Sequence, residues 1–301
     1  MPRKTIAVFS GTGAQGFSVV SALLEHGKYR IRAVAKSTDN RKALIIRGKG
    51  AELMRANLDS IEACKKAVKD AHGVFLVTNF WEHHDEEREY RQGKNVIDAC
   101  IEEGVQHLVF SGQEYVKKLR GYPCPHFDAK GRIEEYIQNN FPSTKHWTII
   151  RLPIYFNTFL TSNKPLPSSD GTRNVAIPMG NSPLPGIDVR DVGRCVITIL
   201  DDPETYAKRV LGLAGGIHTV NEYCEILTKN LTPLVFKDSK QTLERHAMLP
   251  YPAGVEMASM YRFYQEGIDF ERSVELTKKL NPKVCSFEKF VQSHKKELTA
   301  L

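Results

Sequence analysis

The stretch that most constrains the fold is IAVFSGTGAQG, residues 6–16. Apolar residues 6–9, a run of strand length, lead through Ser10 into Gly11-Thr12-Gly13-Ala14-Gln15-Gly16, and a helical apolar pattern follows at once. G-x-G-x-x-G alone is a weak signal. Between a strand and a helix it reads as the opening of a nucleotide-binding βαβ unit. Its glycines let the backbone approach a pyrophosphate and leave the helix amino end pointing at it. The bland alternative is a tight turn that needs glycine for its own sake; the strand and helix on either side favour the nucleotide.

The first half of the chain repeats this alternation. Apolar runs of strand length lie at 31–35, 74–78, 108–110 and 147–152, with a weaker one in AELMRAN at 51–57. Residues 14–26 carry Phe17, Val20, Leu23 and Leu24 on one side and stop at Gly27. Ser60 precedes IEACKKAVKDAHG as a candidate N-cap, and residues 85–103 put Val96, Ile97, Cys100 and Ile101 on one stripe before Gly104. Strands that are apolar throughout, alternating with helices, imply a parallel sheet covered on both faces. After residue 153 the pattern changes to proline clusters, with helices expected near 190–201, 219–230, 239–248 and 286–298 and short strands near 210–213 and 234–237. The expected fold is α/β: a Rossmann-type doubly wound parallel sheet over residues 1–153, with later segments returning to it. Residues 154–301 are expected to form a smaller C-terminal α/β lobe over the strand ends where ligands of such sheets sit.

Composition excludes several classes. Of 301 residues, 41% are hydrophobic and 26% charged, an ordinary soluble balance. No segment approaches the ~20 apolar residues that span a bilayer. MPRKTIAVFSG has basic residues ahead of an apolar run, but the run is too short for a secretory signal, so a cytoplasmic protein is expected. The six cysteines are scattered, which points to reduced thiols, and no cysteine or histidine spacing suits zinc. The net charge of +7 comes from basic residues interspersed with acidic ones, so nucleic-acid binding is not expected.

Cofactor choice is read at the end of the second strand. An NAD-binding chain carries an acid there for the ribose 2′-hydroxyl. Here the position holds Lys36, with Arg41 and Lys42 in the following turn and Asp39 as the only nearby acid. A cationic pocket suits the 2′-phosphate of NADP, although a solvated basic loop gives the same residues. Asn57, Leu58 and Asp59 follow the third strand, where an adenine would lie, although Asp59-Ser60 also reads as a simple helix cap. Thr78 and Asn79 end the fourth strand, near the pyrophosphate and nicotinamide ribose.

The chemistry is harder to place. Ser111 ends the fifth strand and faces the ligand crevice. Lys130 follows His126 by one helical turn, on the same face. Reductases of this architecture use a serine, a tyrosine that donates the proton and a lysine that lowers its pKa; here His126 stands at the tyrosine position. The only Y-x-x-x-K, Tyr90 to Lys94, precedes the serine and reads as a solvated helical face. Tyr122 lies in GYPCP, which cannot be helical. His126 could exchange a proton near neutral pH, but a helix amino end disfavours the imidazolium.

VFSGTGAQG, LVTNFWE, LVFSGQE, HFDAKGRIEEY, IIRLPIYFNTFL, DVRDVG and MASMYRFY carry a resemblance. The chain resembles the NmrA-like members of the atypical short-chain dehydrogenase/reductases over residues 4–299, most of all their animal members. The resemblance implies NADP(H) as cofactor and a redox sensor that lacks the usual tyrosine. It implies that association state, a homodimer included, and protein partners change with the NADPH/NADP ratio. The partners it implies are argininosuccinate synthetase and NF-κB signalling proteins, and the location cytosol and nucleus. It places cofactor contacts on Gly11 to Gly16, Lys36 and Lys130, and has Tyr155, Phe156 and Asn157 close over the nicotinamide. Two departures stand out: Ser10 replaces a glycine, and Lys36 an arginine, which loses the bidentate phosphate fork. An NADPH-dependent quinone or carbonyl reductase using His126 or Lys130 is the alternative.

Overall fold

A computed structural model describes residues 2–250, 254–267 and 271–300. In chain order the elements are β1 (Thr5–Val8), α1 (Ala14–His26), β2 (Arg30–Ala35), α2 (Arg41–Gly48), β3 (Glu52–Arg55), α3 (Ile61–Val68), β4 (Gly73–Leu76), α4 (Glu86–Glu102), β5 (His107–Gly112), α5 (Val116–Arg120), α6 (Pro125–Asn140) and β6 (His146–Arg151). There follow β7 (Ile154–Tyr155), β8 (Leu166–Pro167), β9 (Arg173–Val175), β10 (Leu184–Ile187), α7 (Val192–Asp201), α8 (Pro203–Tyr206), β11 (Arg209–Gly212), β12 (Gly216–His218), α9 (Val220–Asn230) and β13 (Phe236–Asp238). The last are α10 (Leu243–Ala247), α11 (Val255–Glu266), α12 (Val274–Leu280), α13 (Phe287–Ser293) and α14 (Lys295–Thr299). None of the described helices is long and apolar enough to cross a membrane.

Two compact units result. The first comprises Met1–Arg120, Pro125–Arg151 and Arg190–Leu211. Its seven-stranded sheet has the order β11-β6-β5-β4-β1-β2-β3, and every pairing from β3 through β6 is parallel. The order reverses between β1 and β4, which opens a crevice at the carboxyl ends of those strands. Alternation along β1 decides the layers. Ala7 and Phe9 join the core under α3, α4 and α6, with Cys64, Val96, Ile97, Cys100 and Ile133. The opposite face is covered by α1 and α7, which meet so closely that a Cβ on Gly193 would lie 2.3 Å from the Ser18 carbonyl oxygen. The Ser18 hydroxyl locks this contact by accepting from the Gly193 N–H at 3.0 Å and donating to the Arg190 carbonyl at 2.9 Å.

The helix caps follow the sequence. Gly27 ends α1 in the left-handed conformation, φ 74°, and its N–H reaches the Leu23 carbonyl. Ser60 caps α3 through the Ala63 N–H, and Asp85 caps α4 through the Arg88 N–H. Tyr90 and Lys94, expected on a solvated face, are only partly solvated. Lys94 pairs with Asp98 and lies 5.0 Å from the Tyr136 ring centroid, while the Arg132 guanidinium lies 4.3 Å from that of Tyr90. The later helix α6 covers this side of α4, which the period within α4 cannot reveal.

The second unit comprises Gly121–Cys124, Leu152–Val189 and Gly212–Leu301. It holds two small sheets, β12-β10-β7 and β13-β9-β8. An aromatic cluster of Phe156, Phe159, Tyr223, Phe287 and Phe290 fills its centre. The helix expected over 239–248 is confined to α10, and that over 286–298 breaks at His294 into α13 and α14. The strands β7, β8 and β9 and the helices α11 and α12 carry no sequence expectation.

Candidate functional site

The site is built from the turn between β1 and α1. The Gly11 N–H donates to the Val34 carbonyl and the Gly13 N–H to the Ser10 carbonyl, so the turn is folded back on the strand ends. Ser10 is left-handed, φ 52°, a conformation that costs a residue with a side chain, and its hydroxyl donates to the Val77 carbonyl at 3.1 Å. The glycines are there for close approach: a Cβ on Gly16 would lie 2.1 Å from the Ser10 carbonyl oxygen, and one on Gly11 2.9 Å from the Ala33 Cβ. Gly13 is the N-cap of α1, no side chain caps the helix, and no acid stands in its first turn, where Ala14, Gln15 and Gly16 lie. An uncompensated helix amino end beside a glycine turn at the switch point fits a pyrophosphate.

At the end of β2, Lys36 is paired: its ammonium lies 2.6 Å from a Glu82 carboxylate oxygen. Arg41 opens α2 and is exposed. Asp39 accepts from the Ser37 hydroxyl, which holds its carboxyl below the usual range. After β3, the Asn57 side chain accepts from the Asp59 N–H, Leu58 packs against the core, and Asp59 receives two bonds from Arg88, of 2.6 and 3.2 Å. The Arg88 guanidinium holds the Asp59 carboxyl below its ordinary range. The cap of α3 is thus Ser60 alone, and Asp59 is tied instead to α4.

Thr78, Lys130 and Glu89 form the centre. The Lys130 ammonium donates to the Thr78 carbonyl at 3.1 Å, to the Thr78 hydroxyl oxygen at 2.9 Å and to the Glu89 carboxylate. The Thr78 hydroxyl donates to the same Glu89 oxygen at 2.6 Å. Glu89 is fully buried, and its second oxygen is buried without a hydrogen-bond partner. Asn79 is exposed at the head of a 3-10 turn, Phe80–Glu82. The His126 ring is buried with its centroid 5.0 Å from that of Trp81 and 6.0 Å from that of Phe80. Ser111 is buried at the end of β5.

The fold therefore gathers the glycine turn, Lys36, Arg41, Asn57 to Asp59, Thr78, Asn79, Ser111, His126 and Lys130 in the first unit. Tyr155, Phe156 and Asn157 belong to the second. There the Phe156 ring is wholly buried, 5.1 Å centroid to centroid from Phe287, so its side chain serves that unit's core. Asn157 accepts from the Val189 N–H at 3.3 Å, and Tyr155 is half-buried at the start of a 3-10 turn. Sequence reasoning missed Glu82 and Glu89. For Glu89 a signal existed: it shares the spacing of Gly93, Val96 and Cys100, a lone acid on an apolar stripe.

Comparison with known proteins agrees with this arrangement. An NmrA-like family domain-containing protein of Dictyostelium discoideum is 26% identical over 234 residues, 75% of this chain and 77% of that one. An NmrA-like family domain-containing oxidoreductase, notA, of an Aspergillus species is 28% identical over 248 residues, 73% of this chain and 70% of that one. Among solved structures, NmrA, a negative transcriptional regulator, superposes with a TM-score of 0.85 at 21% identity, covering 100% of this chain and 99% of that one. NmrA has been solved in complex with NAD and with NADP. The sequence pattern of the NmrA-like family matches residues 2–291, and with a glycine turn, strand order and helix set of this kind the chain belongs to the NmrA-like family.

Proposed function

We propose that the chain binds NADP(H) with the pyrophosphate at the amino end of α1, and that it works as a cofactor-responsive regulator rather than an efficient dehydrogenase. The observation that carries this reading is the state of Lys130. An ammonium has three N–H donors, and here all three have protein acceptors, one of them a buried carboxylate. Turning that lysine toward a substrate or a ribose would uncouple a buried ion pair. The neighbouring position, a tyrosine in catalytic relatives, holds His126, whose ring is packed among aromatic side chains. The cofactor would supply a hydride, yet these two residues do not form a tyrosine–lysine pair tuned to supply the proton. NmrA, a regulator solved with either dinucleotide, supports the reading.

A regulator must bind reduced and oxidised cofactor differently, because equal affinity shifts nothing. The proposal extends to a homodimer in nucleotide-dependent equilibrium and to protein partners in the cytosol and nucleus, of the kinds that the resemblance implies. Isothermal titration with NADP, NADPH, NAD and NADH tests the cofactor. Scattering mass and limited proteolysis with each nucleotide test the response, and identical results for the protein alone, with NADP and with NADPH would reject it.

Ser111, His126 and Lys130 do lie in one unit, and relatives such as notA are named oxidoreductases, which favours a second reading. This is an NADPH-dependent quinone or carbonyl reductase with His126 or Lys130 as the acid. NADPH oxidation screened against quinones and aldehydes, with His126→Asn and Lys130→Met as controls checked for folding by melting, decides it: turnover that either control abolishes would establish it, and no turnover above both would remove it.

A further inference from the structure

The end of β2 offers a dinucleotide a lysine and no acid, yet the fold brings one there from 46 residues further on. Glu82 lies 2.6 Å from the Lys36 ammonium, and the two side chains are 37% and 75% exposed, so the pair faces solvent instead of bracing a core. The position of Glu82 is fixed. It closes the 3-10 turn Phe80–Glu82, its N–H reaches the Asn79 carbonyl at 3.3 Å, and the turn is pinned by the buried Phe80 ring against Trp81 and His126. Glu82 also favours the charge of Arg88, which grips Asp59. The segments after β2, β3 and β4 therefore carry charges of alternating sign: Lys36, Glu82, Arg88, Asp59.

We propose that Glu82 is a specificity-determining residue: it competes with a 2′-phosphate for the Lys36 ammonium and offers its carboxylate to the ribose hydroxyls of an unphosphorylated dinucleotide. The inference rests on the dinucleotide reading above. A phosphate arriving at Lys36 meets a carboxylate already on the same point charge, and like charges there oppose each other. Lysine sharpens the competition, since it lacks the planar fork with which arginine can hold two oxyanions side by side. The acid that NAD-binding chains carry at the end of the second strand is supplied here after the fourth. The NADP preference is therefore smaller than Lys36 alone would give, and NAD is not shut out.

The test is calorimetric binding of NADP and NAD to the full chain, as wild type, Glu82→Gln, Lys36→Gln and the double variant. Glu82→Gln is expected to raise the ratio of NADP to NAD affinity by about tenfold, through tighter NADP and weaker NAD. Lys36→Gln should weaken NADP selectively, and Glu82→Gln should then no longer tighten NADP while still weakening NAD. The gain should shrink between roughly 0.05 and 0.5 M salt, because the pair is exposed. Melting curves check that each variant folds, with Glu82→Ala as a second replacement. If Glu82→Gln changes both nucleotides alike, or neither, the inference is overturned while the dinucleotide reading stands. If the wild type binds neither nucleotide, both fall.

Discussion

At Ser10 two opposed effects meet in one side chain. Its left-handed backbone, φ 52°, costs about 1–2 kcal/mol that glycine would not incur. Its hydroxyl ties the turn after β1 to the segment after β4 through the Val77 carbonyl, a bond worth about 1 kcal/mol net. Ser10→Gly removes both and is expected to change stability by less than about 1 kcal/mol. Ser10→Ala keeps the strain and loses the bond, so it should cost about 1 kcal/mol in urea denaturation. An alanine variant as stable as the parent would show that the hydroxyl holds nothing. Gly16 is the contrasting case. A Cβ there collides with the Ser10 carbonyl at 2.1 Å, and neither backbone can yield cheaply. Gly16→Ala should push α1 away from the turn and lower stability and nucleotide affinity together, read by melting and titration on one sample. A serine that replaces a glycine is visible in a sequence; the φ it must adopt, and the partner that offsets it, are not.

At the scale of elements, α4 and α6 are joined by Lys130 and Glu89, an ion pair whose side chains are 14% and 0% exposed. Removing one partner strands the other: Lys130→Met leaves a buried carboxylate without its counter-charge, held only by the Thr78 hydroxyl, and should cost about 3–5 kcal/mol. Adding Glu89→Gln should recover much of that loss, and a double-mutant cycle by chemical denaturation measures the coupling. Additive single losses would mean that the two helices are held by packing alone. This pair also marks the limit of what sequence discloses. The alternation of β1, α1 and β2 was legible because each element announces itself within a dozen residues, by period, cap and glycine. Lys130 and Glu89 are 41 residues apart, and Lys36 and Glu82 are 46 apart. Both glutamates sit in a stretch, WEHHDEERE, whose charges could face anywhere until α4 is docked on its sheet. The second unit was less legible for another reason. Strands such as Ile154–Tyr155 and Arg173–Val175 are too short to show a two-residue period, so only their proline-rich surroundings were readable.

At the scale of the whole molecule, much of the acid response follows from one buried histidine in the main sheet. His107 begins β5, is 2% exposed, and its Nε2 lies 3.0 Å from the Thr148 hydroxyl oxygen. That hydroxyl donates its own hydrogen to the Tyr206 carbonyl at 2.8 Å, so it can only accept from the imidazole. His107 is thus neutral with its proton on Nε2, and its Nδ1 is buried with no partner. Protonating Nδ1 would place a charge and an unsatisfied N–H in the core. Burial, helped by the charges of His146 and His72, pushes the pKa down to about 4 from an ordinary 6.5. His72, lowered chiefly by its own burial, acts with the same sign. The unfolded chain takes up a proton below about pH 6.5 that the folded chain refuses until about pH 4. The His107 contribution is therefore full above pH 6.5, falls as pH drops through that window and is lost below about 4, a change of roughly 3 kcal/mol, and the carboxyls held below their ordinary range continue the fall at lower pH. Urea denaturation midpoints at steps from pH 7.5 to 4 measure the slope. His107→Gln keeps a donor toward Thr148 without a titrating ring, so its stability should be lower at pH 7 but fall less steeply across the same range, with His72 supplying part of the remaining slope. A wild-type slope that the glutamine variant reproduces in full would locate the acid sensitivity elsewhere and leave His107 a neutral spectator in both states.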